Sequence, residues 1–96
     1  MMAGGGFGND YYEELQARMR AIVIAVGYSI PPEQLPLLNE LVDANEPGVA
    51  LDILTEALAD SGSQISQADF EDMKLLAEKM GLASAVIDRV RPLAGQ

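Results

Sequence analysis

Residues 45–60 read NEPGVALDILTEALAD, and the fold turns on how they are taken. Pro47 fits the first position of a helix, which makes Glu46 or Asn45 the cap. Ala50, Ile53, Leu54, Ala57 and Leu58 recur at three- and four-residue spacing. That period predicts a helix from Pro47 to about Ala59 with one apolar face. Asp52, Glu56 and Asp60 fall four apart on the other side and stack into a ridge. Like charges at that spacing disfavour a helix by about 0.2–0.5 kcal/mol per pair. The ridge is either a solvated face or a surface that a positive partner covers.

The same period organises the rest of the chain. Upstream, Tyr12, Leu15, Met19, Ile22, Val23 and Val26 form the apolar face of a helix predicted from Asp10, its cap, to Val26, with Gly27 ending it. Glu14 and Arg18 make a favourable pair along it. A second helix is predicted over Pro32 to Ala44, where Leu35, Leu38 and Val42 share a face with Leu37 and Leu41. Pro36 falls in its first turns, where a missing N–H is best tolerated.

Downstream, Ser66 and Asp69 form a capping box, and Ile65 and Phe70 sit at the positions of a hydrophobic staple. A fourth helix follows, with Phe70, Met73, Leu76, Ala77 and Met80 as its stripe and Gly81 as a left-handed stop. Met73 and Met80 in that stripe are read as flexible core filler in preference to an adaptable binding groove. A fifth, shorter helix is predicted over Ser84 to Val90, stopped by Pro92. The expected fold is all-α: a single-domain bundle of four longer helices plus a short C-terminal helix, over residues 10–92. A disordered Gly-rich N-terminus over residues 1–9 and a flexible C-terminus over residues 93–96 are expected to flank it.

Composition narrows the function. The chain has 96 residues, enough for one domain. Apolar residues make up 49%, so it can bury a core despite a net charge of −9 from 15 acidic and 6 basic residues. Binding to nucleic acid or to an anionic membrane surface needs clustered Lys and Arg, and the balance here is the opposite. A basic protein partner, met through electrostatic steering, fits it better. No apolar run reaches the roughly 18 residues that span a bilayer. The opening MMAGGGFGND lacks the charge and apolar region of a secretory signal. A soluble cytoplasmic protein without cofactors is expected.

Cysteine and histidine are both absent, which removes the thiol nucleophile, the thiolate metal site and the commonest general base. Two lysines, Lys74 and Lys79, lie on one predicted helix. Most carboxylates fall on predicted outer faces, where burial cannot drive their pKa values apart. The chain is therefore not expected to be an enzyme. The N-terminal glycines follow no strand, so they do not make a dinucleotide loop. An EF-hand register ending near Asp69 would put Leu58 at the first ligand position and Ser63 at the turn glycine, which calcium does not tolerate. Acyl and peptidyl carriers are also small, acidic and helical, but the one Asp-Ser here, Asp60-Ser61, sits at a helix end before Gly62. Adjacent Tyr11 and Tyr12 cannot both face the core, which leaves one for solvent or a partner.

A solvated helix face would explain the acids. Three features point the other way. The Asp52, Glu56 and Asp60 stripe has no compensating base; Glu40, Asp43 and Glu46 lie just before it; and the bases sit elsewhere, at Arg18, Arg20, Lys74, Lys79, Arg89 and Arg91. Charge is segregated along the chain, as a docking surface requires.

The stretch LNELVDANEPGVALDILTEAL, Leu38 to Leu58, resembles the signature region of MafI-type immunity proteins, small helical antidotes of bacterial polymorphic toxin systems. The similarity rests on Leu41, Glu46, Pro47, Gly48, Ala50, Leu51, Asp52 and Leu54, with Ile65-Ser66 and Lys79-Met80-Gly81-Leu82 beyond it. The family more often has Glu where this chain has Asp52. The resemblance implies an antitoxin that binds a cognate toxin domain and blocks it by stoichiometric contact. Such toxins are often nucleases, whose clefts are basic because they hold phosphate backbones. On this reading Glu40, Asp43, Glu46, Asp52, Glu56 and Asp60 form the partner-binding surface, and the free protein is a monomer or small homo-oligomer. Glu46 and Asp52 have a structural alternative: they stand at the start of a helix, where negative charge is favoured. The rival function is an acidic helical adaptor or regulatory subunit unrelated to toxins, using the same face on another basic protein.

Overall fold

The structure, a computed structural model, describes the backbone of residues 6–95 and the side chains of residues 11–95. Among them are five α-helices: α1 (Gly6–Val26), α2 (Leu35–Asp43), α3 (Pro47–Ser61), α4 (Gln67–Lys79) and α5 (Ser84–Asp88). Short 3-10 turns at Gly27–Ser29, Pro32–Gln34 and Arg91–Leu93 join or follow them. The fold is the expected all-α bundle.

Helix α3 is its axis. All four other helices pack against it, so it is buried around more of its circumference than a single apolar face allows. Ala50, Leu54, Ala57 and Leu58 point inward as expected, but so do Leu51 and Thr55, both at 0% exposure, while Ile53 is only half-buried. From α1 the core receives Leu15, Met19, Ile22, Val23 and Val26, from α2 Leu38 and Val42, and from α4 Phe70, Met73, Leu76 and Ala77. Tyr12, expected on the inner face of α1, is 49% exposed. It lies one turn beyond Leu15, past the reach of the core.

The joints show why the helices stop where they do. Asn45 has φ +64°, the left-handed conformation that asparagine tolerates better than most residues. Behind it the Asn45 amide donates to the Val42 carbonyl (3.0 Å) and the Glu46 amide to the Leu41 carbonyl (2.8 Å), which is a Schellman closure of α2. Gly81, at φ +69°, closes α4 in the same way: its amide reaches the Glu78 carbonyl (3.1 Å) and that of Leu82 the Ala77 carbonyl (3.0 Å). At the start of α4 the Ser66 hydroxyl accepts from the Asp69 amide (3.0 Å). Among the described residues only this half of the box forms, since Asp69 is a methylene shorter than the Glu or Gln that normally reaches back. Glu46 occupies the cap position of α3 but its side chain makes no capping bond.

The structure departs from expectation at both ends. Helix α1 starts at Gly6, so Asp10 lies inside it and is not its cap. Of the segment expected to be disordered, residues 6–9 continue this helix and residues 1–5 lie outside the described residues. Extending an existing helix adds one hydrogen bond per residue without a new nucleus, which offsets the poor propensity of Gly6 and Gly8. At the other end, Leu93 to Gly95 were expected to be flexible but are tied to the loop before α4. The Ile65 amide donates to the Leu93 carbonyl (2.9 Å), and the Gly95 amide to the Ile65 carbonyl (2.7 Å), forming a parallel bridge between Ile65 and Ala94. Gln96 lies outside the described residues.

Candidate partner-binding surface

Asp52, Glu56 and Asp60 all lie on the exposed side of α3. The ridge is nevertheless not without a base. Helix α5 packs on α3 and carries Arg89 to its flank. One Arg89 Nη1 donates to the Asp52 carboxylate, to the Asp52 main-chain oxygen (3.1 Å) and to Thr55 Oγ1 (3.3 Å). The buried Thr55 hydroxyl in turn donates to that same carbonyl (3.0 Å). The hydrogen bond to Asp52 pushes the Arg89 pKa up; desolvation opposes it, and the charges of Asp52 and Glu56 add to the rise. Arg89 is 37 positions from Asp52 in sequence, so only the packing of α5 reveals the pair.

Folding mixes other charges as well. Arg20 of α1 meets Asp43 of α2 at 2.8 Å, Arg18 meets Glu14 at 3.0 Å, and Arg91 meets Asp88 at 3.3 Å. These pairs are exposed, and such pairs contribute about 0–1 kcal/mol each. Their consequence is electrostatic bookkeeping of the surface: Asp43 and Asp52 are offset by a base. Glu40, Glu46, Glu56 and Asp60 are exposed and take part in no ion pair among the described residues.

The six carboxylates do not form one patch. Glu46 and Asp52 line a groove of about 550 Å³ at the α2–α3 turn, whose walls come from α1, from the start of α3 and from the α4–α5 turn. Asp60 lies two turns beyond Asp52 on α3, about 12 Å along the axis, in a separate depression with Pro31 and Gln34. Glu56 stands between them, and Asp43 is engaged with α1.

Sequence reasoning missed the aromatic part of the groove. Tyr11 and Tyr12 both line it, 44% and 49% exposed, with ring centroids 5.5 Å apart in an edge-to-face pair. The Tyr11 hydroxyl donates to the Lys79 carbonyl (2.8 Å) and so fixes the second turn of α1 to the end of α4. Leu15, Pro47, Val49, Met80 and Leu82 complete an apolar lining. The signal was present in the sequence: two consecutive tyrosines at a helix start, with one position too many for the core. Acid–base catalysis by paired carboxylates relies on burial to separate their pKa values, whereas Glu46 and Asp52 are both exposed. Tyrosine faces, an apolar floor and a carboxylate rim are suited to holding another chain.

No protein-family model, curated protein or solved structure matches this chain. Among the described residues no helix is long and apolar enough to cross a membrane, and no group of three or more acidic side chains is placed to hold a metal ion.

Proposed function

We propose that this chain is an immunity protein that binds and neutralises a cognate polymorphic toxin, a basic nuclease-type domain, in the cytoplasm of the producing cell. It acts by stoichiometric contact and carries out no reaction of its own. The observation that supports this reading best is the set of exposed carboxylates without ion pairs, Glu40, Glu46, Glu56 and Asp60, on and around α2 and α3. They remain without an ion pair after Arg18, Arg20, Arg89 and Arg91 have taken their partners, although they do not share one depression. The resemblance to MafI-type immunity proteins covers this same pair of helices. Charge complementarity with a phosphate-binding cleft would speed encounter, and apolar contacts would set the lifetime of the complex.

The test is co-expression. The protein that co-purifies with this chain at low salt is expressed alone and then with it. Growth arrest alone, rescue together and a defined stoichiometric complex by light scattering are expected. A partner that is harmless by itself would remove the antitoxin reading and leave the adaptor.

A further inference from the structure

We infer that the groove between Tyr12 and Val49 is the anchor pocket for a basic segment of the partner, and that it takes a large apolar side chain flanked by Lys or Arg. The inference rests on the binding function proposed above and specifies what that function recognises.

The lining sets the anchor. Pro47 and Leu15 are buried at the floor, Met80 and Leu82 are half-buried along one wall, and Tyr12 and Val49 stand about half exposed at the mouth. An apolar side chain seated against Leu15, Pro47, Val49, Met80 and Leu82 gains hydrophobic stabilisation in proportion to the area it removes from water. Tyrosine rings give broad contact at small entropic cost, and methionine reshapes to fit an incoming side chain. The groove is broad and open at about 550 Å³, a shape for a protruding side chain and its neighbours more than for an enclosed small molecule.

The charges set the flanks. Glu46 lies in the lining with no ion pair among the described residues, and Asp52 adds a carboxylate that Arg89 offsets from the outside. Asn45 and Met80 also place the C-terminal ends of α2 and α4 against the groove. Each such end is the negative pole of its helix dipole, weakened here because several of its last carbonyls already accept hydrogen bonds. The N-terminus of α3 opposes one of them, and Pro47 removes one of its donors. Lys79 presents its carbonyl to Tyr11 and is not part of the lining. The lining itself holds two carboxylates and no basic side chain, and exposed tyrosine faces also attract cations. An acidic or neutral segment would gain the apolar contact but meet repulsion or indifference at the rim.

The experiment is selection from a random 12-residue peptide display library against the full chain. The enriched peptide is then synthesised with a fluorophore and titrated by anisotropy. Enriched sequences should carry Leu, Phe or Met beside Lys or Arg. Tyr12→Ala and Val49→Ser should each weaken the peptide by about fivefold or more, with circular dichroism unchanged. Glu46→Lys should weaken it and flatten its salt dependence. Leu75→Ala, on an exposed position of α4 outside the lining, should leave binding intact. Enrichment of acidic or uncharged peptides, failure to enrich any basic apolar motif, or binding unaffected by both Tyr12→Ala and Val49→Ser would overturn the inference. The two proposals fail separately. A toxin neutralised equally well by the groove variants keeps the antitoxin function and removes the groove, whereas basic peptides seated in the groove of a chain whose partner is harmless do the reverse.

Discussion

The inner and outer sides of α3 share the same turns of helix and do opposite work. Leu51, Leu54, Thr55 and Leu58 are at 0% exposure and hold four other helices together. Asp52 and Glu56, each next to one of them in sequence, stand in solvent and hold no neighbour except through Arg89. The difference teaches that a central helix can commit one side to the core and leave the other in solvent. The two sides meet at Thr55, whose hydroxyl is buried yet bonded to Asp52 and Arg89.

Substitutions along α3 can break or sharpen this contrast. The largest effect is expected from Leu54→Ala, which leaves a cavity on the fully buried side of α3. It should cost about 2–5 kcal/mol in chemical denaturation, and a loss below about 1 kcal/mol would mean that α3 is not the axis. Next comes Thr55→Val, which keeps the volume and removes the shared hydroxyl. Its expected cost is about 1 kcal/mol by the same measurement. Arg89→Ala should lower the unfolding midpoint less than Leu54→Ala. It should also raise amide exchange in α5 and speed association with a basic partner, because Asp52 is no longer offset. The smallest effect on stability belongs to Glu56→Gln and Asp60→Asn, each within about 0.5 kcal/mol. Stopped-flow mixing with the partner at low salt should nevertheless show slower association. Rates equal to those of the unaltered chain would return the ridge to ordinary solvated surface.

Much of the fold was legible because its signals are local. The Pro47 restart, the Ser66 cap and the Gly81 stop are each written within a few residues, and all three occur where expected. Periodicity found most of the core. It under-read α3, because a helix surrounded by others has no single apolar face, and Leu51 and Thr55 lie beside the stripe that the spacing picks out. The candidate surface was legible only in part. Glu46 and Asp52 fall together because the α2–α3 turn places them there. The Arg89 and Arg20 pairings join α5 to α3 and α1 to α2, and no pattern within either partner's neighbourhood announces them. The tyrosines were visible as residues without a place in the core, but their groove depends on where α4 ends.

The bridge between Ile65 and Ala94 has a consequence for how the chain is made. Ile65 is both the residue that positions the start of α4 and one whose backbone is completed by residues 93–95. During synthesis the residues of α1, α2 and α3 all precede this contact, and the Ile65 backbone bonds cannot form until nearly thirty further residues have left the ribosome, about one to six seconds at usual elongation rates. Until α5 is made, the part of α3 that it covers stays open to chaperones and proteases.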